Sequence, residues 1–319
     1  MEDCNFRHIR LPSRNAVPDL NLPLPGTKKE THPLSIAVTG ATGHFGRLTV
    51  EALLRRGVSA DQIIATGRRI ETLGDLASQG VSVRRADYAD EASLRQAFAG
   101  ADRLLLVSGT EVGQRIKQHT NVITAAKAAG VQLIAYTSIV RAPTSTLLIG
   151  QEHRGTEKAL ADSGVPHVLL RNSWYIDNYT AQLPAYLQHG IVGAADDGPI
   201  SGATRADYAE AAAASLTEDG HGGAVYEIGG PAFTMAELAE VVSAETGESV
   251  KYTDLAVQDY QAFLVRAGLP EPVAASIADG DRAVAEGELY VDPADLEKLL
   301  GRPATPLRAA VAAAARDLR

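Results

Sequence analysis

The chain has 319 residues, of which 45% are hydrophobic, and a formal net charge of −9 at pH 7. This length and apolar content predict a globular protein with one large core and a smaller appendage. The negative charge argues against nucleic acid and against an anionic membrane surface as partners, because both attract positively charged proteins.

Chemistry based on thiols or metals finds little support in the sequence. Cys4 is the only cysteine, so an intramolecular disulfide is impossible and we predict a reducing, cytoplasmic compartment. The eight histidines are scattered, with no two within five residues, so we predict no metal site. The longest strictly apolar run, residues 309–315, is too short to span a bilayer, and we expect no membrane span.

The first 33 residues differ in composition from the remainder of the chain. They contain five of the fifteen prolines and show neither strand nor helix periodicity. No apolar core follows a basic start, so we do not expect a secretory signal. We predict a disordered N-terminal arm over residues 1–33. An upstream start codon and a tail that folds over a neighbouring molecule both remain open as explanations.

From Leu34 onward, short apolar strands alternate with helices. This pattern predicts a parallel sheet covered on both faces and joined by right-handed crossovers. The predicted fold class is therefore α/β, with a Rossmann-like, doubly wound parallel sheet. The strands are predicted at 35–39, 62–67, 81–86, 103–108, 132–138 and 167–171, and the helices at 46–57, 70–79, 91–98, 111–129 and 151–163.

The alternation weakens after Asn172. We predict a Rossmann domain that binds NAD(P) over residues 34–172 and a smaller α/β substrate-side lobe over residues 173–319. The lobe is expected to be interleaved with the main sheet rather than independent. Its helices are predicted at 176–189, 205–217, 234–247, 257–267 and 293–300, with a short strand at 224–228.

A glycine turn follows the first predicted strand. Gly40, Gly43 and Gly46 allow a sharp turn, a close backbone approach to a pyrophosphate, and tight packing of the next helix. The phosphates are expected at the helix N-terminus, where free N–H groups and the positive end of the dipole favour anions. The spacing G-x-x-G-x-x-G is one residue longer than the usual dinucleotide fingerprint, and a purely structural turn stays open.

The end of the second predicted strand indicates which nucleotide is preferred. NAD-binding sites place an acidic residue there, about twenty positions past the glycines, whereas an arginine accommodates a 2′-phosphate. Here Arg68 and Arg69 occupy that place, and the nearest acid, Glu71, lies inside the next helix. The sequence therefore favours NADPH over NADH. A solvated basic helix start is the structural alternative.

Taken together, the motifs resemble the NmrA-like atypical short-chain dehydrogenase/reductase family. The similarity is closest to bacterial NAD(P)H:quinone oxidoreductases, with triphenylmethane-dye reductases as near relatives, and it runs from about residue 34 to 318. The motifs that carry it are Gly40-Ala41-Thr42-Gly43-His44-Phe45-Gly46, Arg68, Ala86-Asp87-Tyr88, Leu105-Leu106-Val107-Ser108-Gly109, Ala135-Tyr136-Thr137-Ser138, His153-x-x-x-Glu157-Lys158 and Leu170-Arg171-Asn172-Ser173-Trp174-Tyr175.

The resemblance implies a site for NADP(H). In it, the glycine turn lines the pyrophosphate, Arg68 holds the adenosine 2′-phosphate, and Asp87 lies beside the adenine. Ser108 and Gly109 pass under the ribose. The full set of predicted cofactor-binding residues is Gly40, Thr42, Gly43, His44, Phe45, Gly46, Arg68, Asp87, Ser108, Gly109, Thr137, His153 and Asn172.

The resemblance also implies where the reaction takes place. His153 and Glu157 open the helix after the fifth strand, at the place that faces the nicotinamide in relatives. Asn172, Trp174 and Tyr175 follow the sixth strand at the carboxyl edge of the sheet, where ligands bind in open α/β folds. The predicted catalytic residues are His153, Glu157, Asn172 and Tyr175.

Three of the predicted site residues have structural alternatives. Asp87 can cap a turn, Trp174 can belong to the core, and Asn172 can satisfy backbone groups at a strand end. These alternatives stay open at the level of the sequence.

One departure from the wider superfamily bears on mechanism. Short-chain dehydrogenases use Tyr-x-x-x-Lys, but none of the ten tyrosines here is followed by lysine at that spacing. His153-x-x-x-Glu157 takes the position, and Lys158 is displaced by one residue, about 100° around the helix. We therefore expect reduction of a quinone rather than oxidation of an alcohol. His153 is the candidate proton donor, because an unperturbed imidazole titrates with a pKa near 6.5.

Two functions of different classes remain open. The first is an NADPH-dependent quinone reductase whose substrate is a small planar acceptor, stacked on Tyr175, Tyr179 and Tyr186. A reductase of triphenylmethane or azo dyes is a variant of it. The second is a catalytically silent regulator of the NmrA type that senses NADP. A homodimer is compatible with either function.

Overall fold

The computed structural model describes residues 33–111 and 113–318. Apart from Pro33, the arm predicted over residues 1–33 lies outside the described residues. The chain from Leu34 to Arg319 forms one compact unit. Within the described residues, no helix is long and apolar enough to cross a membrane.

A parallel sheet of seven strands forms the centre of this unit, in the order β3-β2-β1-β4-β5-β6-β8. Strands β7 and β9 form a separate parallel pair. The bounds are β1 (Ile36–Val38), β2 (Ile63–Gly67), β3 (Ser82–Arg85), β4 (Arg103–Leu106), β5 (Leu133–Ile139), β6 (His167–Asn172), β7 (Ile191–Gly193), β8 (Val225–Ile228) and β9 (Tyr252–Asp254).

Helices connect the strands and cover the sheet. Two short 3₁₀ helices, Ala60–Gln62 and Ile70–Leu73, flank β2. The α-helices are α1 (His44–Arg55), α2 (Gly74–Ser78), α3 (Glu91–Ala97), α4 (Arg115–Ala128), α5 (Gly150–Ser163), α6 (Ile176–Thr180), α7 (Leu183–His189), α8 (Arg205–Thr217), α9 (Met235–Thr246), α10 (Val257–Arg266), α11 (Glu271–Ala285), α12 (Ala294–Leu300) and α13 (Leu307–Asp317).

The central strands β1, β2, β4 and β5 are buried on both faces because helices cover both faces. Ile36 and Val38 of β1 belong to a core cluster that includes residues of α1 and α8. Ala37, between them, faces a second cluster with residues of α3, α4 and α5. Successive strand side chains point to opposite faces, so this alternation places one layer of helices on each side. The predicted doubly wound, Rossmann-like parallel sheet is confirmed.

Several predicted helices differ from the observed ones. The segment predicted as one helix over 176–189 forms two helices, α6 and α7. Pro184 lies in the first turn of α7, because a proline is tolerated at the start of a helix but not in its interior. The segment predicted over 70–79 begins as a 3₁₀ helix, and the one predicted from 111 begins at Arg115. Helices α11 and α13 and strands β7 and β9 were not predicted.

The residues after 172 are not separated from the sheet. Strand β8 pairs with β6 in parallel register, and Leu170 lies opposite Tyr226. A third core cluster joins Ile139 and Ile176 to residues of α9, α11 and α13. We keep the division at residue 172 as a proposal about function, in which the first part binds the nucleotide and the second completes the acceptor site.

Candidate active site

A cavity of about 580 Å³ opens at the carboxyl ends of the central strands. It spans the switch point between β1 and β4, where the strand order reverses and where open α/β sheets bind ligands. Most of the predicted site residues line it. These are Gly40, Thr42, Gly43, His44, Phe45, Gly46, Arg68, Asp87, Ser108, Gly109, His153, Asn172 and Tyr175.

The glycine turn leaves the start of α1 open to a ligand. Gly40 has φ +62°, which favours glycine, and a Cβ on Gly46 would lie 2.5 Å from the carbonyl oxygen of Gly40. Gly43 is the N-cap of α1, and no side chain caps the helix there. The first N–H groups of the helix therefore have no intrahelical acceptor, and they face a space suited to an anion.

Arg68 follows β2 at the rim of the cavity. Its side chain is 64% exposed, and its Nη1 lies 3.0 Å from Oε1 of Glu111, which also lines the cavity. The other carboxylate oxygen of Glu111 accepts a hydrogen bond from Nε2 of Gln118, at 2.7 Å. Arg69 is exposed and does not line the cavity. Of the two arginines, Arg68 alone is placed to contact a ligand in this cavity.

Asp87 combines the two roles that the sequence left open. Its Oδ1 accepts a hydrogen bond from the backbone N–H of Ala89 at 3.0 Å, which stabilises the local turn. The residue also lines the cavity. Beside it, the hydroxyl of Tyr88 lies 2.5 Å from Oγ1 of Thr39 and 2.8 Å from the carbonyl oxygen of Val107. These contacts connect the segment after β3 to β1 and to the loop after β4.

Hydrogen bonds from β5 and α4 hold the loop after β4 in place. The N–H of Ser108 donates to Oγ1 of Thr137, at 2.8 Å. The N–H of Gly109 donates to Nε2 of His119, at 2.9 Å, and its carbonyl accepts from Nε of Arg115. Thr137 was predicted to contact the cofactor, but it is buried in β5 and does not line the cavity. Its hydroxyl supports Ser108 instead.

His153 is buried at the inner end of the cavity, with 4% of its surface exposed. Its Nδ1 lies 2.7 Å from the hydroxyl oxygen of Tyr136. Burial, assisted by the positive charge of Arg115, lowers the pKa of His153 to about 3. The prediction that this imidazole titrates near neutrality is therefore wrong for the folded protein. Because His153 is neutral at physiological pH, it is not an imidazolium acid.

Glu157 was predicted to be catalytic, but it does not line the cavity. Its carboxylate accepts from Nε and Nη2 of Arg171, at 2.9 and 2.7 Å, and from the hydroxyl of Ser138, at 2.6 Å. Ser138 does line the cavity. The observed role of Glu157 is thus to pair with Arg171 and to orient Ser138 from behind. The helical spacing placed Glu157 one turn after His153, but it did not indicate that Arg171 pairs with Glu157.

Asn172 lines the cavity and carries a buried, unpaired acceptor. Its Nδ2 donates to the hydroxyl of Tyr175, at 3.2 Å. Its Oδ1 has almost no accessible surface and no hydrogen-bond partner among the described residues. Buried polar atoms are nearly always paired in native proteins, so this oxygen marks an incomplete network beside the cavity. The side chain of Asn172 therefore does not satisfy backbone groups at the strand end, and that alternative is wrong.

The wall formed by residues after 172 is aromatic. Trp174 lines the cavity and also packs on α11, where a Cβ on Gly280 would lie 3.5 Å from its ring. The Tyr175 ring lies under the guanidinium of Arg205, 5.2 Å from its centroid. The prediction that Tyr179 and Tyr186 also line the site is wrong, because both pack in the core of the lobe.

Sequence reasoning missed several lining residues. Arg205 opens α8 and donates to Oδ1 of Asn178, which also lines the cavity. The local signal for Arg205 is its place directly after the Thr204 N-cap. No local pattern indicates that the start of α8 lies beside β6. Within residues 33–111 and 113–318, no three His, Cys, Asp or Glu side chains are grouped as metal ligands. The remaining lining residues that were not predicted include Glu111, Arg115, Gln118, Ser138, Ile139 and Ile149.

Two known proteins are similar to this chain over most of its length. Quinone oxidoreductase 2 of Escherichia coli is 50% identical over 278 residues, which cover 86% of this chain and 97% of that protein. A reductase of (4-alkanoyl-5-oxo-2,5-dihydrofuran-3-yl)methyl phosphate from Streptomyces griseus is 32% identical, with 86% and 95% covered.

Solved structures show the same fold. The NADPH-dependent quinone oxidoreductase of E. coli complexed with NADPH has a TM-score of 0.84 and 48% identity, covering 89% of this chain and 99% of that one. The triphenylmethane reductase of Citrobacter sp. complexed with NADP(H) has a TM-score of 0.83 and 40% identity, covering 88% and 100%. The model of the NmrA-like family matches residues 33–308. The chain belongs to the NmrA-like family.

Proposed function

We propose that this protein is an NADPH-dependent oxidoreductase that transfers hydride to a quinone or a similar planar, electron-poor acceptor. The observation that carries the proposal is the 50% identity to E. coli quinone oxidoreductase 2 across 97% of that protein. The cavity supports it, because the predicted nucleotide-binding residues other than Thr137 line the same space as the aromatic wall.

The residues around the cavity fit NADPH. The uncapped start of α1 would bind the pyrophosphate through backbone N–H groups, with Thr42 and Phe45 beside it. Arg68 would pair with the adenosine 2′-phosphate, and Asp87 would lie beside the adenine. When bound, the cofactor supplies a hydride from C4 of its nicotinamide. Ser108 and Gly109, held by Thr137 and His119, would support a ribose.

The inner end of the cavity is suited to a planar acceptor. Trp174 and Tyr175 supply aromatic faces on which a quinone ring can stack, and Ile149 adds an apolar contact. His153 and Ser138 provide neutral polar atoms there. The guanidinium of Arg205 lies over the Tyr175 ring. Stacking holds the acceptor close to the hydride donor, and this proximity is the main contribution of the protein to the rate.

A sensor that binds NADP without turnover is the alternative from another class. It needs the nucleotide-binding rim but no second pocket beyond it. The aromatic and apolar residues Ile139, Ile149 and Trp174 line the same cavity past the glycine turn, which favours an enzyme. Dye reduction is a further option, since the triphenylmethane reductase of Citrobacter sp. is 39% identical and an azoreductase of Xenophilus azovorans is 27% identical.

Steady-state oxidation of NADPH tests the proposal. Consumption of NADPH at 340 nm is measured with menadione and benzoquinone, and in parallel with a triphenylmethane dye and an azo dye. We expect turnover with the quinones to exceed turnover with either dye. Tight NADPH binding by fluorescence titration without turnover of any acceptor would favour the sensor.

Two further proposals accompany this function. We infer a cytoplasmic location from the single cysteine and from the dependence on NADPH. Fractionation of cells that produce the protein tests it. A homodimer is also proposed, and sedimentation of the full chain at two concentrations tests that.

A further inference from the structure

Behind the acceptor end of the cavity, a buried tyrosine and a buried histidine form a hydrogen-bonded pair. Tyr136, in β5, is completely buried, and its hydroxyl oxygen lies 2.7 Å from Nδ1 of His153, in α5. His153 lines the cavity, whereas Tyr136 does not. Nδ1 is thus engaged from behind, and Nε2 is the ring nitrogen that remains for a ligand.

The neighbouring hydrogen bonds place the hydrogens of His119 and Thr156. Nε2 of His119 accepts from the N–H of Gly109, so its hydrogen is on Nδ1, which donates to Oγ1 of Thr156 at 2.9 Å. The Thr156 hydroxyl in turn donates to the carbonyl of Glu152, at 3.0 Å. The hydroxyl of Tyr136 then has two acceptors to choose between, the remaining lone pair of Thr156 Oγ1 and Nδ1 of His153, and Nδ1 is 2.7 Å away.

We propose that Tyr136 fixes His153 as the Nε2–H tautomer and that this N–H is a hydrogen-bond donor to the oxygen of the acceptor. Tyr136 is then a positioning residue, which acts through His153. The inference rests on the proposed function, because the oxygen that accepts the hydrogen bond is that of a quinone. His119 and Thr156 hold the surrounding hydrogens in place.

Such a donor assists quinone reduction. Hydride carries two electrons to the quinone, one carbonyl oxygen becomes an anion, and water protonates that oxygen to complete the hydroquinone and leaves as hydroxide. A hydrogen bond from Nε2–H strengthens as negative charge develops on that oxygen, so it stabilises the transition state more than the bound quinone. His153 keeps its proton throughout, and no charged imidazole is required.

The charged groups around the pair are compatible with a neutral imidazole. Arg115 raises the positive potential at His153, and its own partner is Glu152, at 2.5 Å. Glu157 is neutralised by Arg171. His119 faces Tyr136, with ring centroids 5.5 Å apart, and burial lowers its pKa to about 3 as well. Both histidines therefore stay neutral across the physiological range.

A second tyrosine–histidine pair in this chain provides a matched control. The hydroxyl of Tyr226 lies 2.8 Å from Nδ1 of His221, and both residues are 8% exposed. Neither of them lines the cavity. Tyr226→Phe therefore removes the same kind of hydrogen bond from a place that has no contact with the acceptor.

The first test is spectroscopic and needs no turnover. Long-range ¹H–¹⁵N correlations on the full chain, labelled at the histidine ring nitrogens, report the tautomer of each imidazole, with His153→Gln used for assignment. We expect His153 to be neutral with its hydrogen on Nε2 from pH 5.5 to 8. A hydrogen on Nδ1, with Tyr136 donating to Thr156 instead, would overturn the proposal. Protonation of the ring within that range would overturn it too.

The second test is kinetic. We expect Tyr136→Phe to mix the two tautomers of His153 and to lower kcat with menadione by roughly three- to tenfold, with KM for NADPH unchanged. Tyr226→Phe should change neither value. Equal effects of the two variants on kcat with menadione would reduce Tyr136 to a structural residue.

A third comparison separates a neutral donor from an acid. Glutamine carries an N–H donor but cannot supply a proton as an imidazolium does. We expect His153→Gln to retain menadione kinetics within about threefold of wild type, and His153→Leu to lower kcat with menadione by about tenfold. Equal losses in both would overturn the donor role. This pair of variants and the wild-type tautomer decide the question if Tyr136→Phe does not fold. Absence of turnover by wild type would refute the proposed function and leave the tautomer measurable.

Discussion

The two ends of the cavity recognise ligands in opposite ways. At the rim, Arg68 is 64% exposed and pairs with Glu111 across the opening. At the inner end, His153 and Asn172 are each 4% exposed and carry no charge. The rim offers a full charge in water, whereas His153 and Asn172 are buried neutral groups, and the one charge beside the aromatic wall, that of Arg205, lies over the Tyr175 ring. The difference separates two tasks, since the rim selects a phosphate and the inner end orients an acceptor.

The physical environments determine how each end responds to conditions. Exposed ion pairs are screened by salt and contribute about 0 to 1 kcal/mol each. Buried neutral groups are insensitive to salt, but their loss of hydration keeps them from ionising. Substitutions at the rim should therefore change which nucleotide binds, and substitutions at the inner end should change acceptor kinetics and the pH dependence of stability.

The largest effect is expected at the rim. Arg68→Ala should weaken NADPH binding by about 1.5 to 3 kcal/mol, because a charge-assisted hydrogen bond to the 2′-phosphate is lost. NADH binding should be nearly unchanged. Fluorescence titration with both nucleotides measures this, and Arg69→Ala is the matched control outside the cavity. Equal losses of affinity for NADPH and NADH would contradict the assignment of Arg68 to the 2′-phosphate.

A pH-dependent effect on stability is expected at the inner end. The pKa of His153 is about 3 in the folded protein and about 6.5 when unfolded, so only the unfolded chain binds this proton between those values. Stability falls as pH falls through this window, by about 1.4 kcal/mol per pH unit for one histidine. His153→Gln should remove that contribution, which urea unfolding between pH 4 and 6 measures. His119→Gln should flatten the profile similarly, since burial also lowers the pKa of His119 to about 3.

Removing the side chain of His153 should affect the acceptor more than the chemical step. His153→Ala is expected to lower kcat with menadione by about tenfold or less, roughly 1.4 kcal/mol, and to raise KM. Water can protonate the product, so the loss should stay below the 10²- to 10⁴-fold typical of a general acid. A thousandfold fall in kcat with KM unchanged would make His153 a true acid.

The smallest effect concerns the partner of Arg68. The carboxylate of Glu111 competes with a 2′-phosphate for the guanidinium, 3.0 Å away, and repels the phosphate. Glu111→Gln should therefore tighten NADPH binding by about two- to fivefold and leave NADH binding unchanged. Glu91→Gln breaks an exposed ion pair with Arg95 away from the cavity and serves as control. Weaker NADPH binding in Glu111→Gln would show that Glu111 supports Arg68 in the bound state.

Local patterns were sufficient for the sheet and for the glycine turn. Most of the strands in the main sheet are short apolar runs between turn signals, so their positions follow from neighbouring residues alone. The spacing of Gly40, Gly43 and Gly46, and the place of Arg68 after β2, likewise depend only on the path of one βα unit. Helix α11 escaped prediction because Pro272 and Gly280 interrupt its pattern, although Pro272 is tolerated in the first turn.

Tertiary structure determined which of the candidate catalytic residues reaches the cavity. From the sequence, His153 and Glu157 are equivalent candidates one helical turn apart. In the fold, His153 reaches the cavity while Glu157 pairs with Arg171 of β6. Burial beside Tyr136 and Arg115 then sets the charge of His153. Pairing and desolvation depend on residues distant in sequence, so spacing located the candidates, and only their packing determined that His153 is neutral and faces the acceptor.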